Sequence, residues 1–280
     1  MDGDGEAAEL QPALDSAAPG EENAAAAGQR WDSHMGFARA VAALLFVTAL
    51  PVALVTTNVR LLANAPPLYD YAFDHFDAEA ATGLSRADLD ATASALRGYF
   101  NNGEQTFYHT VTEDGLETPV LGARETRHME DVKHLFVLVN RAQEASVVYV
   151  LVYVVAFFIS TRDGNARQLA GQCLAGLALG AAVLGAVGIV AAFGFEGAFE
   201  RFHGLVFTND DWRLDRATDH LIQMFPEPFW RDATILLGLM CAIEGLALAA
   251  ASAAYLMVTR GERRRLPASL STQAPGTQAA

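Results

Sequence analysis

Two histidines lie beside long apolar segments of this chain, where their side chains could do acid–base chemistry. His128 lies in ETRHMEDVKHL, ahead of one apolar run, and His203 lies in RFHGLVFTNDDW, just after another. A neutral imidazole accepts a proton near neutral pH and an imidazolium donates one, so such a pair can act as general base and acid. The chain contains no GxSxG motif for a serine nucleophile. An enzyme built on these residues would use histidine and carboxylate chemistry, or a nucleophile from its substrate.

The surroundings of His128 favour a neutral ring. The sequence predicts that His128 occupies the first turn of a helix, where exposed N–H groups and the helix dipole disfavour a cation. Asp131 follows one turn later and could orient the ring. The alternative is a polar residue that is simply tolerated at a helix start.

The surroundings of His203 are aromatic. Phe195, Phe199, Phe202 and Val206 recur at helical spacing and predict an interfacial helix with a phenylalanine face. Glu200 precedes His203 by one turn. The alternative is an aromatic belt at the membrane surface with a solvated Glu–His pair.

Membrane-spanning helices must position these residues. Hydrophobic residues make up 52% of the 280 residues, and they are bunched into runs. About 20 apolar residues of helix cross a bilayer, and four segments qualify. Glycines in the third segment would let helix backbones approach closely. The predicted fold class is an all-α membrane protein with four transmembrane helices and a small extracytoplasmic cap between the first two.

The predicted segments follow in chain order. They are a disordered acidic cytoplasmic tail (1–32), transmembrane helix 1 (33–60), the extracytoplasmic cap (61–124), a helix that enters and forms transmembrane helix 2 (125–161), transmembrane helix 3 with an interfacial extension (168–202), an extracytoplasmic active-site loop (203–232), transmembrane helix 4 (233–259), and an Arg-rich then disordered cytoplasmic tail (260–280).

The cap is predicted to contain one helix and a hairpin. A helix from about Arg86 to Tyr99 has Ser85 as N-cap and Leu89 and Leu96 on its buried face. Asn-Gly and Asp-Gly turn signals then flank alternating Thr, Phe, Tyr and Val residues, which favours a small β-hairpin.

Arginines predict the orientation. RGERRR directly follows the fourth apolar segment, and Arg162 and Arg167 lie in the tight connection between the second and third. Because cytoplasmic flanks are enriched in basic residues, we expect both termini to be cytoplasmic. His128 and His203 then both lie on the extracytoplasmic side.

Charge and cysteine content exclude several classes. The formal net charge is −14 and no basic stripe with interleaved aromatics occurs, so nucleic acid is not a predicted partner. Cys173 and Cys241 lie in apolar runs without a CxxC motif and are expected to be buried small hydrophobes. Glu244 lies inside the fourth apolar segment, as either a functional group or a carboxyl that hydrogen-bonds across helices.

The residues from about 35 to 258 resemble the lipoprotein intramolecular transacylase family of bacterial membrane proteins. ETRHMEDVKHL and FHGLVFTNDDWRLDRATDHLIQMFPEPFW carry the resemblance. It departs at Arg216, where the family pattern has proline. The resemblance implies an enzyme of the bacterial cytoplasmic membrane that acts on a diacylated lipoprotein among membrane lipids. An acyl chain would move from the glyceryl sn-2 oxygen to the α-amino group of the N-terminal cysteine.

The resemblance also implies which residues act. His128 and His203 match the family's functional histidines and would be catalytic. The supporting or substrate-binding residues predicted around them are Asp131, Glu200, Asn209, Asp210, Trp212, Phe199 and Phe202. No metal and no cofactor is predicted. Because the acceptor amine is tethered to the donor ester within the substrate, no protein nucleophile is required.

Two other functions remain open from the residues alone. One is a metal-dependent membrane lipid hydrolase, for which His128, Glu130, Asp131, His134 and His203 would supply ligands. No HExxH motif occurs, which counts against it. The other is a non-enzymatic tetraspan protein whose cap binds a partner.

Overall fold

The computed structural model describes residues 19–113, 115–160 and 166–265. The chain divides into two compact units, residues 1–44 and 45–280, and the described part of the first is helical. The elements are α1 (Pro19–Asn64), α2 (Pro66–His75), α3 (Ala78–Thr82), α4 (Arg86–Asn101), β1 (Thr110–Glu113), β2 (Leu116–Pro119), α5 (Ala123–Ser160), α6 (Ala166–Val206), α7 (His220–Met224) and α8 (Glu227–Arg265).

In the part of the chain that the structure describes, four helices have the length and composition to cross a membrane, as predicted. These segments are Gly36–Asn64, Ala123–Ile159, Ala166–Val190 and Glu227–Arg260. Large apolar side chains such as Leu151, Val183 and Leu246 are exposed along them. Because exposed apolar surface of this extent is unfavourable in water, the fold matches a lipid environment.

Glycine allows α6 to lie directly against α1. A Cβ at Gly176 would lie 2.9 Å from the carbonyl oxygen of Val47, and one at Gly180 would lie 2.9 Å from Cβ of Pro51. Any side chain at either position would push the helices apart. The predicted close approach is confirmed at these two glycines.

Residues 65–122, between α1 and α5, are the segment that the sequence predicts as the cap, and we keep that name for them. Its core contains Leu89, Leu96 and Tyr99 of α4 and continues through Met224 and Phe225. The segment before α5 and the segment after α6 therefore share one apolar core.

Both predicted elements of the cap are present. The Ser85 hydroxyl accepts a hydrogen bond from the Asp88 N–H at 3.2 Å and donates to the Asp88 carboxylate at 2.6 Å, which caps α4. Strands β1 and β2 pair antiparallel, with Thr110 opposite Pro119. Gly115 in the turn has φ 81°, a conformation that glycine adopts readily.

The structure differs from the prediction of a disordered tail over residues 1–32, because α1 begins at Pro19. Proline suits the first helical position, and the alanine run that follows has high helix propensity. Residues 1–18 and 266–280 lie outside the described residues, and so does Arg162.

Helices also replace much of the predicted active-site loop, residues 203–232. Helix α6 continues to Val206, α7 forms at His220–Met224, and α8 begins at Glu227. Pro226 and Pro228 fall at the start of α8, where a missing N–H costs little. The irregular part of this connection is therefore short.

Candidate active site

His128 lies in the second turn of α5 rather than the first, because the helix begins at Ala123. The Glu125 carboxylate accepts the Gly122 N–H at 2.6 Å and so caps the helix two residues earlier than predicted. The His128 ring is 7% exposed, and its Nδ1 has no hydrogen-bond partner among the described residues. A buried ring nitrogen without a partner is uncommon in folded proteins and marks a candidate functional group.

His203 lies near the end of α6, beyond a break at Gly194. Its Nδ1 lies 2.7 Å from the carbonyl oxygen of Phe199. A carbonyl only accepts, so Nδ1 carries the proton and Nε2 is left with its lone pair. Burial lowers the pKa of His203, although the Phe199 carbonyl acts in the opposite direction.

The two imidazoles meet. Their ring centres are 5.9 Å apart at an angle of 39°, and we call them the histidine pair. Phe207 lies against both rings, with centres 5.1 Å from His128 and 5.6 Å from His203. This arrangement brings together residues that are 75 positions apart in the chain.

Aromatic side chains enclose the His203 ring. Its centre is 4.2 Å from that of Phe199, 5.3 Å from that of Phe202 and 5.1 Å from that of Trp212. Such a surround lowers the local dielectric constant, which strengthens hydrogen bonds to any charge that develops there.

The segment 207–219, which we call the strap, is tied along α5 beside His128. The Arg127 guanidinium donates two hydrogen bonds to Asp211, at 2.8 and 3.0 Å. These hydrogen bonds lower the pKa of Asp211, so it remains ionised.

Two further contacts extend the attachment of the strap. The Asn209 amide donates to Asp131 at 2.8 Å, and Arg124 donates to Asp219 at 2.7 Å. Because Arg124 and Asp131 lie one turn before and one turn after His128, these contacts bracket the histidine.

The structure brings together most of the predicted site residues. His128, His203, Phe199, Phe202 and Trp212 are in ring contact with one another or with a shared neighbour, and Asn209 and Asp131 lie beside them.

Two predicted residues stand apart. Glu200 is exposed, and no hydrogen bond joins it to His203 in the described part of the chain. Asp210 is exposed and pairs with Arg213 at 2.9 Å. Neither the Glu200 side chain nor the Asp210 side chain is therefore hydrogen-bonded to the other predicted site residues in the described part of the chain.

Sequence reasoning missed four residues that organise the site: Phe207, Asp211, Arg127 and Glu125. Arg127 and Glu125 precede His128 in ETRHMED, and the Gly-x-x-Glu spacing of Gly122 and Glu125 supplies the glutamate half of a capping box. That spacing could have located the helix start. Nothing in the sequence pairs Arg127 with Asp211, because the contact spans 84 residues.

The residues considered for a metal site do not form a cluster of ligands in the described part of the chain. Among the described residues, no group of three or more His, Cys, Asp or Glu side chains is placed to hold a metal ion. His134 is exposed on α5, and Glu130 accepts a hydrogen bond from Thr106 at 2.6 Å instead.

Comparison with solved structures shows the fold. The integral membrane lipoprotein intramolecular transacylase Lit from Bacillus cereus matches with a TM-score of 0.67 and 18% identity, over 81% of this chain and 99% of that chain. A structure of the same protein with a histidine-to-arginine substitution matches with a TM-score of 0.66 and 16% identity, over 84% and 99%.

Sequence comparison gives the family. An uncharacterized protein of Aquifex aeolicus (strain VF5) is 29% identical over 123 residues, which are 44% of this chain and 52% of that protein, so the alignment spans about half of the relative's length. The model of the family described as lipoprotein intramolecular transacylase Lit matches residues 44–230. That range takes in the cap, the strap and both histidines, and the chain therefore belongs to the lipoprotein intramolecular transacylase family.

Proposed function

We propose that this protein moves an acyl chain within a diacylglyceryl lipoprotein, from the sn-2 ester to the amine of the N-terminal cysteine. The observation that carries the proposal is the histidine pair: two buried imidazoles 5.9 Å apart, one with an unpartnered ring nitrogen. The family's name supplies the substrate class.

The reaction needs proton transfers and no protein nucleophile. The cysteine nitrogen attacks the sn-2 ester carbonyl and forms a tetrahedral oxyanion, and the C–O bond to the glyceryl oxygen then breaks. His128 accepts a proton from the attacking nitrogen and passes it to the free Nε2 of His203, which delivers it to the departing oxygen. Both imidazoles begin and end the reaction neutral, and with the roles exchanged the balance is the same. The tethered amine supplies the proximity that an enzyme nucleophile otherwise provides.

The residues around the pair have separate tasks in this proposal. Phe199 and Phe202 hold acyl chains, and Phe202 has 47% of its surface exposed beside His203. Trp212 and Asn209 shape the polar rim near the glyceryl group, and Asp131 fixes Asn209. Glu200 and Asp210, both exposed, contribute negative charge at the rim, which favours an approaching ammonium group.

We place the enzyme in the bacterial cytoplasmic membrane with both termini inside. The Arg-rich end of α8 supports this orientation, since basic flanks favour the cytoplasmic side. The cap and the histidine pair then face outward, where a lipoprotein is anchored by its acyl chains.

Single substitutions test the proposal. His128→Ala and His203→Ala should each abolish the N-acylated lyso product, because either change removes one of the two proton-transfer groups. Mass spectrometry of the N-terminal peptide of a lipoprotein, from cells that carry each variant, measures the product.

His134→Ala is the matched control, since it removes an exposed histidine from the same helix. It should leave product formation unchanged. Normal conversion by either His128→Ala or His203→Ala, at equal amounts of membrane protein, would rule out the paired-histidine mechanism.

A further inference from the structure

A polar cavity lies along α5, away from the histidine pair. It has a volume of about 260 Å³ and lies between the end of α1, the end of α4 and the middle of α5. Its polar lining is Arg60, Asn101, Asn102, Asn140, Arg141 and Glu144. None of these residues has a part in the reaction proposed above.

The cavity lies at the depth of phospholipid headgroups. From Arg141 to the end of α5 at Ser160 the helix rises about 28 Å, which is close to the thickness of a bilayer's hydrocarbon core. Beyond Glu144 the helix exposes Val148, Leu151 and Val152, as a lipid-facing segment does. The polar residues therefore begin where the hydrocarbon ends.

The donors in the cavity suit a phosphate. Arg60 and Arg141 both line it, and guanidinium groups bind phosphate oxygens through paired hydrogen bonds. The Asn102 side-chain oxygen accepts from Lys133 at 2.8 Å and from the Glu104 N–H at 3.0 Å. Its amide NH₂ group is thereby left as a third donor beside the arginines.

The acceptors in the cavity suit a second, hydrogen-bond-donating group. The side-chain oxygen of Asn140 is buried and has no partner among the described residues. The Glu144 carboxylate is 64% exposed and lies 3.5 Å from Arg60, at the long end of an ion pair. A bare phosphate would leave the Asn140 oxygen unsatisfied and would face the charge of Glu144.

We propose that this cavity binds the headgroup of a phospholipid that carries both a phosphate and an ammonium group, as phosphatidylethanolamine does. Arg60, Arg141 and Asn102 bind the phosphate, while Asn140 and Glu144 accept hydrogen bonds from the ammonium. The acyl chains lie along the exposed apolar side of α5. A trimethylated ammonium has no N–H and cannot make the second set of bonds.

Native mass spectrometry of the purified full chain tests the site. The delipidated protein is mixed with equimolar phosphatidylethanolamine and phosphatidylcholine that carry identical acyl chains. The protein should retain the ethanolamine lipid in several-fold excess. Arg60→Gln and Arg141→Gln should each weaken retention about fivefold, since a basic side chain near the headgroups contributes about 1 kcal/mol. Arg216→Gln, which removes an exposed arginine of the strap, should have no effect.

Glu144→Gln separates the two halves of the site. It should keep lipid binding but remove the preference for ethanolamine over choline, and its near-identical shape guards against misfolding. Equal retention of the two lipids by the unmodified protein overturns the proposal, and so does unchanged retention after both arginines are replaced. Displacement of the lipid by soluble phosphoethanolamine at the same concentration also overturns it, because the site would then be one for a free anion.

Discussion

Two faces of the first turns of α5 bury titratable side chains to a similar extent but satisfy them differently. On one face, which meets the cap and α7, Glu125 and Lys133 are 3% and 6% exposed, and on the other face, toward the strap, His128 is 7% exposed. The Glu125 carboxylate accepts two backbone N–H groups, from Gly122 at 2.6 Å and from Leu221 at 2.7 Å.

Lys133 is satisfied in a similar way. It donates to the Asn102 side chain and to the Glu104 carbonyl, and its nitrogen lies 4.0 Å from the ring centre of Tyr99. His128 has an unpartnered Nδ1 among the described residues. The partnered face fixes how α5 meets the cap and α7, and the unpartnered His128 nitrogen on the other face is the candidate functional group.

The largest effect should come from the partnered face. Glu125→Ala leaves the partly buried N–H groups of Gly122 and Leu221 without this acceptor, and we expect it to lower the free energy of unfolding by about 2 kcal/mol. A thermal melt of the purified protein in one detergent measures the change.

His128→Gln, a change of similar burial on the other face, should abolish product and leave the melting temperature within a degree or two. If His128→Gln destabilises the protein as much as Glu125→Ala does, the division between the two faces fails.

A smaller effect should follow from loosening the strap. Arg127→Gln removes the paired hydrogen bonds to Asp211 beside His128, and a displaced strap should lower the rate of product formation roughly tenfold. Because the Arg127 side chain is 55% exposed, the melting temperature should change little.

Arg216→Gln is the matched control for Arg127→Gln, since Arg216 is an exposed arginine of the same strap. Equal rates for these two variants would show that the strap does not position the histidine pair.

The pH dependence sharpens the comparison at His203. Burial lowers its pKa, so the ring stays neutral to a lower pH than an exposed histidine, and activity should fall only when the pH drops below the usual histidine value. As the pH decreases, His203 binds a proton in the unfolded chain before it does so in the folded protein. Its contribution to stability is therefore full above the usual histidine pKa and is lost as the pH decreases below it.

Removing an aromatic side chain beside His203 should shift the pH at which activity falls. Phe199→Ala hydrates the His203 ring and should shift the acid limb of the pH–rate profile upward, on the order of half a pH unit. Phe193→Ala, which removes an 88% exposed phenylalanine from the same helix, should leave the limb in place. An unshifted limb in Phe199→Ala would mean that His203 does not set it.

The sequence predicted features that follow from local periodicity. Apolar runs of sufficient length defined four helices, and Ser85 with Asp88 marked the start of α4. Asp-Gly placed the turn of the hairpin. These features depend on residues within a few positions of one another, where propensity and capping act.

The rest depends on contacts between distant segments. The residues of the strap cannot be matched to α5 from spacing, since Asp211 and Arg127 are 84 positions apart. Helical spacing predicts that Glu200 lies beside His203, but the His203 ring is hydrogen-bonded to the Phe199 carbonyl instead. A one-turn offset allows a contact, and packing decides whether it forms.

The smallest effect should come from Glu244, a half-buried polar group that the same reasoning classifies. Asn58 of α1, fully buried, donates to the Glu244 carboxyl at 2.7 Å and contacts the Cys241 sulfur at 3.6 Å. The sequence left Glu244 as either functional or cross-helix bonded, and this partner places it with Glu125. Glu244→Gln keeps an acceptor for Asn58 and should leave product and melting temperature unchanged, whereas Glu244→Leu should cost about 0.6 kcal/mol in a thermal melt. Loss of product in Glu244→Gln, with folding intact, would instead show that the carboxyl carries a proton in the reaction. A hydrogen-bonded polar group could then not be classed as structural from its partner alone.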